Sequence, residues 1–258
     1  MDKITSIKND KIKNLRKLYQ KKYRKQKGQF ILEGLRLTRG SYNAGANLDT
    51  IYITKDFYNN LIKDEAFLIN NQDKIVFVSN KLIKEVADTE NPQDIITVVN
   101  EPNFNEKQVL SKEYILILDQ VQDPGNMGTI IRTAVAAGFQ SLIITKGSVD
   151  VFNLKVLRST MGAIYSIPFI KDVDLDKLKT MLNNKKQYIY AADLNTEQYY
   201  NELKYKRPLS LIIGNEAHGI REELLDLANQ KVKIPIRGDI ESLNAAVAAG
   251  LIMYEILR

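Results

Sequence analysis

The run YILILDQVQDPGNMGTIIRTAVAAG, residues 114–138, shows the pattern that repeats along the chain: an unbroken apolar stretch, a polar loop, then apolar residues at helical spacing. Before it, FILEG, TIYIT, KIVFVS and DIITVV are short, rich in branched and aromatic residues, and predict strands. Apolar positions between them predict helices near 36–44, 57–70 and 81–87, after a basic amphipathic N-terminal helix with Ile12, Leu15, Tyr19 and Tyr23 on one side. The second half predicts strands at YILILD, SLIIT, SIPFI, YIYAAD, LSLIIG and KVKIPI, with helices near 129–138, 153–161, 175–183, 221–230 and 243–258. Such alternation implies an α/β fold, with parallel sheets covered by helices on both faces. The polar segment EPNFNEKQVLSK breaks the pattern, so a linker is expected at 104–113, between domains at 1–103 and 114–258.

The last helix, LNAAVAAGLIMYEILR, is apolar nearly all round. Such helices are normally buried. It is either a central core helix or one that packs one face on the sheet and another on a second subunit. The small alanines permit close helix approach and favour the dimer.

Composition narrows the function. The chain has no cysteine and one histidine, which excludes disulfides, thiolate metal sites and a cysteine nucleophile, and no metal site is expected. The first residues lack an apolar signal-peptide core, and no apolar run reaches the ~20 residues needed to span a bilayer. A soluble cytoplasmic protein is expected, with no membrane partner. The net charge is +6, but residues 1–40 hold 13 Lys or Arg against Asp2, Asp10 and Glu33. The N-terminal part is therefore strongly basic and the remainder slightly acidic. Either this is a solvated basic helix or it meets nucleic-acid phosphate. Tyr19 and Tyr23 among the lysines favour RNA, whose exposed bases stack on aromatic rings.

Three loops follow predicted strands at their C-terminal ends, where ligands bind in open α/β sheets. In QDPGNMGTIIRTA, Gly125 and Gly128 suit a tight turn, Asn126 suits a cap or clamp, and Arg132 projects beside Thr129 and Ala136. The loop lacks both the Walker lysine and a GxGxxG fingerprint. In GNEAHGI, His218 reads as a surface or locally bonded imidazole. Glu216 needs a donor if covered, and Arg132 is a candidate. In RGDIESLN, Ser242 and Asn244 both suit a helix N-terminus.

Taken in order, the asparagine and arginine of NMGTIIR, then IIGNEAHG, then IPIRGDIESLN before an alanine-rich helix, resemble the SpoU (TrmH-like) RNA ribose 2′-O-methyltransferases of the SPOUT superfamily. RSTMGA, residues 158–163, resembles the family's segment between motifs. The likeness spans 114–258, and GQFILEGLRLTRG in the first part resembles the small substrate-binding domain that often precedes the catalytic one. The resemblance implies a SPOUT domain with a deep C-terminal trefoil knot, which strand–helix alternation cannot reveal. It further implies S-adenosyl-L-methionine as cofactor, RNA as partner and a homodimer formed through the C-terminal domain.

By the same resemblance, Arg132 is the central catalytic residue, and Asn126, Glu216, Ser242 and Asn244 map onto motif positions that hold the arginine, the ribose and the loops. Gly214, Asn215, Ile234 and Leu243 would grip the cofactor through backbone groups, with Ala192 as the far wall. Free guanidinium keeps its proton, so Arg132 is expected to grip a phosphate and stabilise the developing alkoxide rather than act as base. Lys21, Lys22, Arg24, Lys25, Lys27 and Arg36 are the expected RNA contacts. Large-subunit ribosomal RNA is favoured over transfer RNA. A non-catalytic RNA-binding protein on the same scaffold is the competing class, and a generic nucleotide-binding enzyme is disfavoured by the missing phosphate-loop lysine.

Overall fold

Two separate sheets organise the chain in a computed structural model that describes residues 3–183 and 187–258. The strands are β1 (Gln29–Glu33), β2 (Leu48–Ile53), β3 (Ile75–Phe77), β4 (Ile95–Asn100), β5 (Tyr114–Leu118), β6 (Ser141–Thr145), β7 (Phe169–Val173), β8 (Tyr188–Ala192), β9 (Leu209–Ile213) and β10 (Gln230–Val232). The helices are α1 (Asp10–Lys17), α2 (Lys21–Lys27), α3 (Leu35–Asn43), α4 (Lys55–Leu61), α5 (Ala66–Ile69), α6 (Asn80–Val86), α7 (Glu106–Leu110), α8 (Pro124–Ala137), α9 (Leu154–Thr160), α10 (Leu175–Asn183), α11 (Glu222–Leu225) and α12 (Ala245–Ile256). The chain divides into two compact units, one of Met1–Asn103 with Phe152–Tyr165, the other of Phe104–Val151 with Ser166–Arg258. Among the described residues no helix is long and apolar enough to cross a membrane.

The first unit carries a four-stranded sheet in the order β1-β4-β2-β3. It is mixed, not parallel as alternation suggested: β4 runs antiparallel to both β1 and β2, and only β2 and β3 are parallel. The period of two along β1 explains its two cores. Ile31 joins Ile12, Leu15, Leu82 and Val98 on one face. Phe30 points to the other, where its ring stacks on Phe152 at 4.3 Å. Residues 152–165, expected in the second domain, bury Phe152, Ile164 and Tyr165 within this unit. The expected N-terminal helix is broken at Leu18 into α1 and α2, and the expected helix over 57–70 is two short ones.

The second unit carries a six-stranded parallel sheet in the order β10-β8-β9-β5-β6-β7. Every residue of β5, β6 and β9 is buried, which is why these strands read as unbroken apolar runs. On one face, Ile115, Ile117 and Ile212 pack with Leu178 of α10 and Leu224 of α11. Val109 of α7 joins this core, so the segment expected as a linker forms a short helix that anchors one buried side chain. α8 and α12 pack on each other.

Several boundaries differ from expectation, among them β7, which runs Phe169–Val173 rather than over SIPFI. α8 begins five residues early, because Asp123 caps it and Pro124 occupies its first turn. Gly125 and Gly128 therefore lie inside a helix and do not form a tight turn. α11 is a single turn, and β10 ends at Val232, leaving Ile234 and Ile236 in a loop.

Candidate active site

The acid that ends the first apolar run of the second unit sets the geometry. Asp119 is fully buried. Its carboxylate accepts from Arg221 Nε at 3.0 Å and Nη2 at 2.5 Å, from the Arg221 backbone N–H at 3.1 Å, and from Thr145 Oγ1 at 3.0 Å. This bidentate pair ties the end of β5 to β6 and to the start of α11. Sequence reasoning missed it, although a carboxylate ending a wholly apolar strand signals a need for donors.

The loop after β9 closes on itself. Asn215 N–H donates to Gly219 O at 2.8 Å and Gly219 N–H to Asn215 O at 2.9 Å. A Cβ at Gly214 would lie 2.3 Å from the Gly219 carbonyl carbon, so only glycine fits this crossing. Asn215 donates to Gln120 O at 2.8 Å and accepts from the backbone of Ala217 and His218. His218 is exposed.

Glu216 is held by the β5 loop rather than by Arg132. It accepts from the backbone N–H groups of Gln122 and Asp123, each at 3.3 Å, and from Asn126 Nδ2 at 3.1 Å. Asn126 Oδ1 in turn accepts from Asn244 Nδ2 at 2.9 Å. Asn244 caps α12, its Oδ1 accepting from Ala246 N–H at 2.9 Å. Asn126 is thus a clamp, because Asp123 already caps α8. Asn244 alone takes the capping role for which Ser242 was also a candidate. One chain of hydrogen bonds, Glu216–Asn126–Asn244, joins all three loops.

Beside this chain lies a cavity of about 450 Å³. Ala192, Gly214, Asn215, Ile234 and Leu243 all line it, together with Glu216 and Ser242. Ile213, Val232, Ile236 and Ile252 add apolar wall, and Asp193, Lys233 and Glu241 add charge. Asn126, Asn244 and Arg132 do not line it. Arg132 is exposed on α8 with Thr129 and Ala136, and among the described residues its side chain makes no hydrogen bond or ion pair.

Of the expected RNA contacts in the first unit, Lys21, Lys22, Lys25, Lys27 and Arg36 are exposed. Arg24 is not available to RNA. Only 6% exposed, it donates to the carbonyls of Leu18 and Tyr19 and fastens the break between α1 and α2. Tyr19 is also committed, donating to Glu33 at 2.7 Å.

A family model described as the SpoU rRNA Methylase family matches residues 113–254. The chain belongs to the SpoU rRNA methylase family. A second model, the MRM3-like substrate binding domain, matches residues 9–97. The 23S rRNA (guanosine(2553)-2′-O)-methyltransferase RlmP of Bacillus subtilis is 33% identical over 259 residues, covering 99% of both chains. The AdoMet-bound rRNA methyltransferase from Sinorhizobium meliloti has a TM-score of 0.88 and 29% identity, covering 99% of this chain and 97% of that one. The SpoU methyltransferase AviRb from Streptomyces viridochromogenes shares the fold at a TM-score of 0.85 and 23% identity, covering 97% of each chain. The SpoU match includes every cavity-lining residue and the whole Glu216–Asn126–Asn244 chain.

Proposed function

We propose that this chain transfers a methyl group from S-adenosyl-L-methionine to a ribose 2′-hydroxyl of large-subunit ribosomal RNA. The observation that carries the reading is the cavity at the ends of β8, β9 and β10, bordered by a hydrogen-bonded chain of motif side chains. At about 450 Å³ it falls within the ~300–1,000 Å³ usual for small-molecule sites. Its lining suits this cofactor: Ile234, Ile236 and Leu243 offer apolar cover for an adenine ring, and Glu216 and Glu241 offer negative charge to a cationic ligand. Gly214, Asn215, Ile234 and Leu243 would hold it through backbone groups, with Ala192 as the far wall.

Bound S-adenosylmethionine supplies an activated methyl group with a good leaving group. The chain must then bring a weakly acidic hydroxyl into line and stabilise its oxygen as charge develops. Arg132, with its guanidinium uncommitted, grips the adjacent RNA phosphate and stabilises the alkoxide. Asn126, Glu216 and Asn244 fix the loops, and Ser242, exposed at the cavity, orients the ribose. The basic face of the first unit, with Lys21, Lys22, Lys25, Lys27 and Arg36, supplies affinity for RNA.

The reading includes a homodimer built on the second domain, a trefoil knot in that domain and a cytoplasmic location. The dimer is supported by α12, which leaves Val247, Leu251 and Tyr254 exposed by 52%, 41% and 57% along one stripe. A wholly buried core helix is thereby excluded. The substrate class is supported by the activity in the printed name of the Bacillus subtilis relative.

Arg132→Ala is expected to keep S-adenosylmethionine binding by calorimetry and to lose at least about a hundredfold of tritium transfer to ribosomal RNA. Transfer near the wild-type rate sinks the role given to Arg132. Mapping ribose methylation in a deletion strain tests the substrate, beginning with the guanosine equivalent to that modified by the Bacillus subtilis relative.

A further inference from the structure

A second concavity, entirely within the first unit, has no part in the chemistry above. It measures about 230 Å³ and lies between α1, α2 and β2. Its floor is apolar, formed by Leu15, Leu18 and Val98 with the ring of Tyr52. Its rim carries Lys11, Lys17 and Lys27, and Tyr23 forms one wall. Asp49 is the one acid in the lining, so the site holds a net +2. Among the described residues, none of the three lysines is in an ion pair.

The arrangement is selective. A bare phosphate would be served by the lysines alone and would gain nothing from an apolar floor. A purely apolar peptide would leave three ammonium groups without partners. A nucleotide unstacked from single-stranded RNA uses both parts, because its base has an apolar face and its flanking phosphates are anionic. The Lys17 ammonium lies over the Tyr23 ring, 5.9 Å from the centroid. That contact marks a ring face open to a π partner, and a base taking the place frees Lys17 for phosphate.

We propose that this pocket takes one unstacked nucleotide of single-stranded RNA, with the base against Tyr23 and phosphates on Lys11, Lys17 and Lys27. The assignment rests on RNA being the substrate. It makes the first unit a reader of single-stranded segments beside its general basic face.

The test uses the full chain and a short fluorescein-labelled single-stranded RNA, free or annealed to its complement. Tyr23→Leu keeps the apolar wall and removes the ring. It is expected to weaken single-strand binding about tenfold and duplex binding by no more than about twofold, the size of one lost base stack. Replacing Lys11, Lys17 and Lys27 by Gln is expected to lower the salt slope of single-strand affinity by about 2, at about 0.7 per phosphate contact. Circular dichroism and urea unfolding of each variant against wild type report whether the first unit is folded. If Tyr23→Leu fails to fold, photocrosslinking of thiouridine-bearing RNA to wild-type protein replaces it, with Tyr23 the expected adduct. Equal loss on both RNAs, no loss, or crosslinks confined to other surfaces overturns the pocket. Tritium transfer by the wild-type chain separates the two readings. Transfer with unchanged binding by the variants removes the pocket and leaves the enzyme. Binding through the pocket without transfer does the reverse.

Discussion

At the scale of single residues, the two carboxylates of the site do different work. Asp119 is fully buried, whereas the Arg221 side chain that pairs with it is 25% exposed. Removing Arg221 therefore strands a charge with no access to water, although Thr145 and the residue-221 backbone still donate. Removing Asp119 leaves a guanidinium that can turn outward. Arg221→Ala is expected to cost more than Asp119→Ala, toward the upper end of the about 3–5 kcal/mol typical of broken buried pairs. Urea unfolding of the two variants checks the order, and the reverse ranking would show that the pair is not organised by burial. Glu216 is exposed, and all three of its partners are donors. Glu216→Gln turns an amide toward at least one of them. Stability is expected to change by no more than about 1 kcal/mol, while methyl transfer falls at least about tenfold by loss of loop order. Parallel losses in both quantities would make Glu216 a purely structural residue.

At the scale of elements, Gly214 is the point where the β9 strand becomes the cavity wall. Because the atoms a Cβ would strike at 2.3–2.5 Å are backbone of Gly219 and Ile220, no side-chain rotation relieves the clash. Gly214→Ala is expected to push the 214–219 loop off its place and weaken S-adenosylmethionine binding by more than about tenfold, as a backbone shift of about 1 Å does to a preorganised site. Calorimetry returning wild-type affinity would mean that the loop is not part of the cofactor wall. The same elements show what was legible beforehand. The buried strands β5, β6 and β9 were plain, because strands covered on both faces are apolar throughout. The start of α8 was misread, since Pro124 and Gly125 signal a turn locally, and only the Asp123 cap reveals a helix. Asn126 and Asn244 could be singled out as residue types suited to caps and clamps, and Glu216 as an acid in need of donors. Their mutual bonding could not, because it joins positions 90 and 118 apart in sequence. Arg24 was misjudged for a related reason: charge is visible in a sequence, but the carbonyls left open at a helix break are not.

At the scale of the whole molecule, buried tyrosines are expected to draw down the stability of both units at high pH. Burial, reinforced by Asp49, pushes the Tyr52 hydroxyl up to about 12. Burial also raises Tyr19, with Glu33 adding to it, and raises Tyr165 and Tyr205. A tyrosine in the unfolded chain ionises near 10. Below that pH both states keep the proton, and the neutral ring's contribution to stability is present in full. Between about 10 and 12 the unfolded chain gives up its proton while the folded one cannot, so stability drains away as pH rises. Tyr52 alone accounts for up to about 3 kcal/mol across that window. Its hydroxyl makes only a long bond, to Lys11 O at 3.4 Å, so Tyr52→Phe loses little at neutral pH. The variant is expected to match wild type in urea at pH 8 and to exceed it by pH 11. Lysines titrate in the same range but do so equally in both proteins, so the difference between the two curves isolates the phenol. Curves that remain parallel from pH 8 to 11 would show that Tyr52 ionises within the folded state and that its burial sets no alkaline limit.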